Sequence, residues 1–311
     1  MGIKHSMGSG ILFAVLAATL YALSLPFSKL LLDFVPPTLM AGLLYLGAGI
    51  GMGCVSLFRA NKTGEQRLAK AELPYTIAMV VLDIAAPIFL LLGLSMTTAA
   101  NASLLNNFEI VATSMIALAV FGERISARLW TGIAFVTLSC ALLSVEDVAS
   151  FDFSFGSLFI LLACICWGIE NNCTRRLSHK DPMQIVVIKG IFSGLGSIAI
   201  GLVLGESLDA LWSVLAVLAV GFISYGMSIF FYVYAQRLLG AARTSAYYAI
   251  TPFIGALLSL VIFRDPPTYP YFVALALMIV GAWLCAKDEP LFEKKKKKIK
   301  IPDGSSGIFW Y

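Results

Sequence analysis

Residues 74–95 read Pro-Tyr-Thr-Ile-Ala-Met-Val-Val-Leu-Asp-Ile-Ala-Ala-Pro-Ile-Phe-Leu-Leu-Leu-Gly-Leu-Ser. One acid, Asp83, stands near the middle of an otherwise apolar run. About 20 such residues, rising about 1.5 Å each as a helix, cross the roughly 30 Å hydrocarbon core of a bilayer. The stretch therefore reads as a membrane-spanning helix, and it sets the scale for the rest of the chain. Apolar runs bounded by polar residues, Pro or Gly recur at 10–32, 37–58, 98–121, 128–145, 155–174, 183–204, 211–235, 242–263 and 268–286, which makes ten spans in all. The 311 residues are 59% hydrophobic and 13% charged, with a mean hydropathy of +0.88. Soluble domains average about 45–50% apolar and about 25% charged, so composition speaks against a water-soluble fold. Ten spans also leave no length for a soluble catalytic, nucleotide-binding or DNA-binding domain. The first apolar run is too long for a signal peptide and lacks a small-residue cleavage site.

The fold expected is an all-α integral membrane protein of ten transmembrane helices. Positive charge gives it an orientation. With the N-terminus inside, 19 of the 22 Lys and Arg residues fall on the inner side, Arg264 falls outside, and Lys29 and Lys189 lie within spans. The outer loops carry Asp33, Glu146, Asp147, Asp152, Glu206, Asp209 and Asp265 instead. Both termini are expected in the cytoplasm of a multi-pass cell-membrane protein. The run Lys294–Lys298 then reads as part of a solvated basic tail near anionic headgroups. Cys54, Cys140, Cys164, Cys166, Cys173 and Cys285 all sit in apolar runs, as small hydrophobes do. Their spacing gives neither a disulfide framework nor a zinc site. His5 and His179 lie in polar flanks, away from any membrane-embedded chemistry.

The two halves resemble each other at nearly constant offsets. At 146, Tyr21 meets Trp167, Lys29 meets Arg175, Pro36 meets Pro182, and Gly47 and Gly51 meet Ser193 and Ser197. At 142, Ala99-Ala100 meets Ala241-Ala242, Ser103 meets Ser245, and Phe121-Gly122-Glu123 meets Phe263-Arg264-Asp265. The organisation expected is an N-terminus at 1–9, units at 10–146 and 155–286, and a basic tail at 287–311. Five spans per unit is an odd number, so the second unit should sit upside down relative to the first. Inverted repeats are a recurrent plan of secondary transporters, with the solute near the midplane between them.

The chain resembles the drug/metabolite transporter superfamily, in its ten-helix branch built from two EamA-type repeats. The resemblance is carried by Tyr21-Ala22-Leu23, Trp167-Gly168-Ile169, Phe121-Gly122-Glu123 and Gly132. It departs from the usual pattern at Arg264-Asp265, where a Gly-Glu ending is expected, and at Ala274, where a glycine is. What the resemblance implies is a carrier of small metabolites, often an exporter, working by alternating access without ATP.

Small residues four apart mark helix contacts in lipid: Gly47/Gly51 and Gly49/Gly53 in helix 2, and Gly190/Gly194 with Ser193, Ser197, Gly201 and Gly205 in helix 7. Charges inside the spans are more informative, because each costs at least about 2.5–3.5 kcal/mol at midbilayer and must face a partner or a cavity. Asp83 and Glu109 lie nearest the centres of their spans and are the proton-coupling candidates. Glu109 is preferred because Asn106 and Thr113 share its helical face, whereas Asp83 shows no comparable set. Glu170 and Lys189 are expected to form a charge pair, and Lys29 to snorkel or meet Asp33. Polar and aromatic stripes at Tyr225/Ser228/Tyr232, Thr244/Tyr248/Thr251/Gly255 and Ser24/Ser28 point to a central cavity, with Pro87 and Pro252 loosening nearby backbone. The substrate-binding set expected is Asn106, Glu109, Trp167, Glu170, Asn171, Tyr225 and Tyr248, in a site bounded by helices 1, 3, 4, 6, 8 and 9.

The sequence shows no phosphate-binding glycine loop, zinc-ligand cluster or nucleophile elbow, so no catalytic residue, metal or cofactor is expected. The basic tail lacks the interleaved aromatics of a nucleic-acid surface. The partners expected are the lipid bilayer and a small-molecule substrate, with protons and a homodimer as open alternatives. The function expected is a secondary carrier, an exporter of a small polar metabolite such as an amino acid or related amine. The alternatives are an integral-membrane enzyme acting on a lipid-linked substrate and a passive channel, the latter disfavoured by scattered single charges.

Overall fold

The computed structural model describes residues 2–58, 68–121, 126–147, 152–177, 180–208, 210–239, 247–264 and 267–286. Among them eight helices are long and apolar enough to cross a membrane, and Thr251–Phe263 and Tyr269–Cys285 add two shorter apolar helices. Thr244, Gly122, Glu123, Asp265 and the Lys294–Lys298 tail lie outside the described residues. Span 1 consists of α1 (Gly2–Ala22) and α2 (Ser24–Leu31), and span 2 is α3 (Pro37–Phe58). Span 3 is α4 (Leu73–Met96), and span 4 consists of α5 (Ala99–Leu105) and α6 (Phe108–Phe121). Span 5 is α7 (Ala127–Ser144), and span 6 is α8 (Phe155–Leu177). Between them lies a short antiparallel pair, β1 (Val145–Asp147) and β2 (Asp152–Phe153).

Spans 7 and 8 each contain a π-helical insert. In span 7 it covers Lys189–Ser193, between α9 (Pro182–Ile188) and α10 (Gly194–Val203). In span 8 it covers Gly221–Met227, between α11 (Leu211–Val220) and α12 (Ser228–Leu239). Spans 9 and 10 are α13 (Thr251–Phe263) and α14 (Tyr269–Ala286). Span 3 packs along span 6 as span 8 packs along span 1, while spans 2 and 7, 4 and 9, and 5 and 10 meet one another. Exchanging the first five spans for the last five leaves these pairings unchanged.

The small-residue pattern acts as close packing. A Cβ on Gly49 would lie 2.7 Å from the Ile191 nitrogen and 2.8 Å from the Gly190 carbonyl carbon, so α3 and the span-7 insert touch backbone to backbone. Gly47 and Gly221 make the same kind of approach to the carbonyls of Leu218 and Leu44. Gly53 meets nothing within 4 Å. All six cysteines are free.

Two charged side chains tie down helix ends rather than each other. Lys29 donates to the carbonyls of Leu94 (2.6 Å), Ser95 (3.3 Å) and Thr97 (2.9 Å) at the C-terminal end of α4. The sequence suggests that it snorkels or meets Asp33; here it is half-buried and its head caps the end of α4. A helix end leaves carbonyls unpaired and partly negative, which suits an ammonium better than open water does. Glu206 does the converse, accepting from the backbone nitrogens of Thr38 (3.3 Å) and Leu39 (2.8 Å) at the start of α3.

Candidate functional site

Span 4 breaks at Asn106-Asn107. Asparagine competes with helical hydrogen bonding through its own amide. Asn107 Nδ2 donates to the Leu104 carbonyl at 3.2 Å, and the backbone tightens into three-residue turns, with Asn107 N on Leu104 O and Glu109 N on Asn106 O, both at 3.1 Å. Span 9 breaks at Ala249-Ile250, just ahead of α13. Here the cause is Pro252, whose ring lacks an N–H and crowds the carbonyl four residues back. That carbonyl, on Tyr248, accepts from the Thr251 hydroxyl at 2.7 Å instead. Pro252 thus starts a helix rather than loosening the middle of one, while Pro87 sits inside a continuous α4. At the offset of 142, Asn106-Asn107 is the counterpart of Tyr248-Ala249, so the two breaks lie within one residue of equivalent points of the two halves.

The breaks face one cleft of about 600 Å³, its mouth included, bordered by residues of spans 1, 4 and 9. Tyr21, Asn106, Asn107, Glu109, Tyr248 and Thr251 supply its polar and aromatic lining. Glu109 carries the only formal charge among the described residues of that lining. It is half-buried and accepts from Asn171 Nδ2 at 2.6 Å; Asn171 also reaches Thr113 Oγ1 at 3.4 Å. Glu109 is therefore held by an amide from span 6, and not directly by Asn106 or Thr113 as sequence reading expected.

Of the expected binding set, Asn106, Glu109 and Tyr248 border the cleft. Asn171 stands behind Glu109. Tyr225 is buried and packs edge-on against Tyr21, with ring centroids 5.3 Å apart, and against Tyr45 at 5.4 Å. Trp167 is buried beside the Tyr45 hydroxyl. Tyr248 packs on Tyr232 at 4.9 Å and lies 3.5 Å from the Ser228 hydroxyl. These aromatic rings join the cleft to a second charge cluster, whose two acids are buried and whose lysine is partly buried.

In that cluster Lys189 lies between two acids, 3.1 Å from Asp83 Oδ2 and 3.0 Å from Glu170 Oε1. Asp83 is 0% exposed and Glu170 2%. Tyr45 donates to Asp83 Oδ1 at 3.0 Å, and Thr174 donates to Glu170. The expected Glu170–Lys189 pair is present, but as one side of a triad. The view that Asp83 lacks orienting groups is corrected, because Tyr45 and Lys189 hold its two oxygens. Lys189 opens the π-helical insert of span 7, the kind of irregularity that re-aims side chains at functional positions. Sequence reading missed Tyr45 and Asn107; the Asn-Asn dipeptide at the centre of an apolar run was the signal for the second.

Among the described residues, eight long and two shorter apolar helices, paired half against half around a polar cleft at two helix breaks, define a multi-pass membrane transporter. The chain belongs to the EamA-like transporter family, of the drug/metabolite transporter type; the family model matches residues 8–145 and again 154–286. It is 24% identical over 298 residues to an uncharacterized transporter of Methanothermobacter thermautotrophicus, covering 88% of this chain and 85% of that one. It is 25% identical over 271 residues to the uncharacterized inner membrane transporter YedA of Escherichia coli, covering 84% and 85%. A solved crystal structure with 19% identity matches it with a TM-score of 0.64, over 93% of this chain and 99% of the other, a likeness of fold.

Proposed function

We propose that this transporter is a secondary carrier that exports a small polar metabolite, an amino acid or related amine, across the cell membrane in exchange for protons. The observation that carries the reading is the cleft itself, where nearly equivalent helix breaks of the two halves come together beside Glu109. Discontinuous helices at the repeat interface are how secondary transporters build solute sites, since freed backbone groups and polar side chains are tolerated only where they line a cavity. The two five-span units lie in inverted topology, with both termini in the cytoplasm, in keeping with the lysine and arginine distribution. Alternating access then exposes the cleft to one side at a time.

Glu109 couples the two fluxes by mutually exclusive binding. Burial disfavours a carboxylate's charged form, and a bound cation restores it. A proton and the amine of a solute therefore compete for the same group. In proteoliposomes with an imposed pH gradient the protein is expected to accumulate amine or amino-acid solute uphill and to show saturable counterflow. Glu109→Gln should abolish the proton-driven accumulation and remove the pH dependence of the binding that remains. Uphill transport at the wild-type rate by Glu109→Gln would exclude it as the coupling group, and flux without saturation would replace the carrier by a pore.

A further inference from the structure

The hydrogens of the Ser103, Thr251 and Tyr248 hydroxyls in the cleft are already committed. Ser103 Oγ donates to the Ala99 carbonyl at 2.8 Å, and Thr251 Oγ1 to that of Tyr248 at 2.7 Å. Ser228 Oγ donates to the Ala17 carbonyl at 2.8 Å, so in its 3.5 Å contact with Tyr248 the tyrosine is the donor. A hydroxyl has one hydrogen and two lone pairs, so what Ser103 and Thr251 offer a solute is acceptor capacity. Asn107 goes further. It is 1% exposed and lines the cleft, its amide is engaged by Leu104, and its Oδ1 has no hydrogen-bond partner among the described residues. A buried acceptor without a donor costs about 1–3 kcal/mol, which a bound N–H would recover.

The charges point the same way. Glu109 is the only formal charge in the described lining, and Lys189 is spent between Asp83 and Glu170 outside it. A carboxylate entering the cleft would find neutral donors such as Asn106 and Ser24 but, among the described residues, no cation, beside an existing carboxylate. Buried charge is tolerated only when paired. The Tyr21 and Tyr248 rings, 6.1 Å apart, offer faces that attract a cation.

We infer that the cleft selects a primary amine with an aromatic or apolar body and no carboxylate: the ammonium sits between Glu109 and Asn107 Oδ1, and the body lies against Tyr21 and Tyr248. The inference rests on the carrier reading and narrows its substrate class from amino acids and amines to amines alone.

The test is calorimetric titration of the full chain in lipid nanodiscs with three probes of one skeleton: phenethylamine, phenylalanine and 3-phenylpropionate. Phenethylamine is expected to bind at least about tenfold more tightly than phenylalanine, the loss of one unpaired polar contact being worth about that factor, and 3-phenylpropionate not at all. Glu109→Gln and Asn107→Leu should each weaken phenethylamine at least about tenfold, and Glu109→Asp should restore part of it. Size-exclusion profiles and thermal melts establish that each variant is folded. Equal or tighter binding of phenylalanine, binding of 3-phenylpropionate, or no binding of phenethylamine would overturn the assignment. Saturable counterflow of phenylalanine without affinity for phenethylamine would overturn it while leaving the carrier reading intact; loss of all saturable transport would strike the carrier reading itself.

Discussion

Replacing Lys189 by methionine removes the one cation of the buried triad and leaves Asp83 and Glu170 facing the same space. Two carboxylates that near each other cannot both stay charged, so at least one must take up a proton for the fold to persist. Protonating an ordinary aspartate costs about 4 kcal/mol at pH 7 and about 1.5 kcal/mol at pH 5. The first figure agrees with the roughly 3–5 kcal/mol typical of stripping one partner from a buried ion pair. The folded variant holds a proton that the unfolded chain has released at neutral pH, so its stability falls as pH rises through that range.

Melting of the detergent-purified protein can be followed with a thiol-reactive dye, because Cys140 and Cys164 are free and buried and become reactive only on unfolding. At about 2 °C per kcal/mol for a chain of this size, Lys189→Met should melt about 8 °C below wild type at pH 7 and about 3 °C below it at pH 5. Adding Asp83→Asn and Glu170→Gln to Lys189→Met should recover most of the loss, since a buried ionic cluster replaced as a whole is often neutral. An equal deficit at both pH values, or no recovery in the triple variant, would refute the assignment of the cost to uncompensated charge.

Lys29→Met should destabilise the protein by about 1.5–3 kcal/mol, the worth of charged hydrogen bonds to the α4 carbonyls, seen in the same melts. A loss that shrank steeply as ionic strength rose would contradict this, because partly buried contacts are screened much less than exposed ones. Gly49→Leu should abolish correctly assembled protein on size-exclusion chromatography, as the side chain would have to occupy the backbone of Gly190 and Ile191. Gly53→Leu, at a glycine with open space around it, should leave assembly unchanged.

The spans were legible in the sequence because a bilayer imposes a length and a polarity that each run must meet alone. Glu170 and Lys189 could be paired on the same logic, being buried opposite charges on consecutive helices. Asp83 could not be added to them, because nothing along the chain states how span 3 is rotated against spans 6 and 7. Tyr45 was hidden for the same reason, in a helix whose visible signal was glycine. The partners of Lys29 and Glu206 are backbone groups at the ends of other helices, which have no side-chain signature at all. The helix break at Asn106-Asn107 was half legible: the polar residues marked a cavity, but the interruption needed the Asn107 amide to be seen on the Leu104 carbonyl.

The two charge systems differ in kind, and span 6 binds them together. Glu170 and Asn171 are neighbours on α8; the first holds Lys189 and, through it, Asp83, while the second holds Glu109 at the cleft. Lys189 pairs with both acids of the triad, so opening it would strip a buried carboxylate of its partner at a cost of several kcal/mol. The Asn171–Glu109 hydrogen bond is a single contact at the cleft. A displacement of α8 that moved Asn171 away from Glu109 would also drag Glu170 against Lys189, and the triad would oppose it. Reorientation of Asn171 alone, about its own side-chain bonds, breaks neither ion pair. The lower-energy route for changing the environment of Glu109 is therefore a rotamer change of Asn171, with α8 kept in register by the triad beside it.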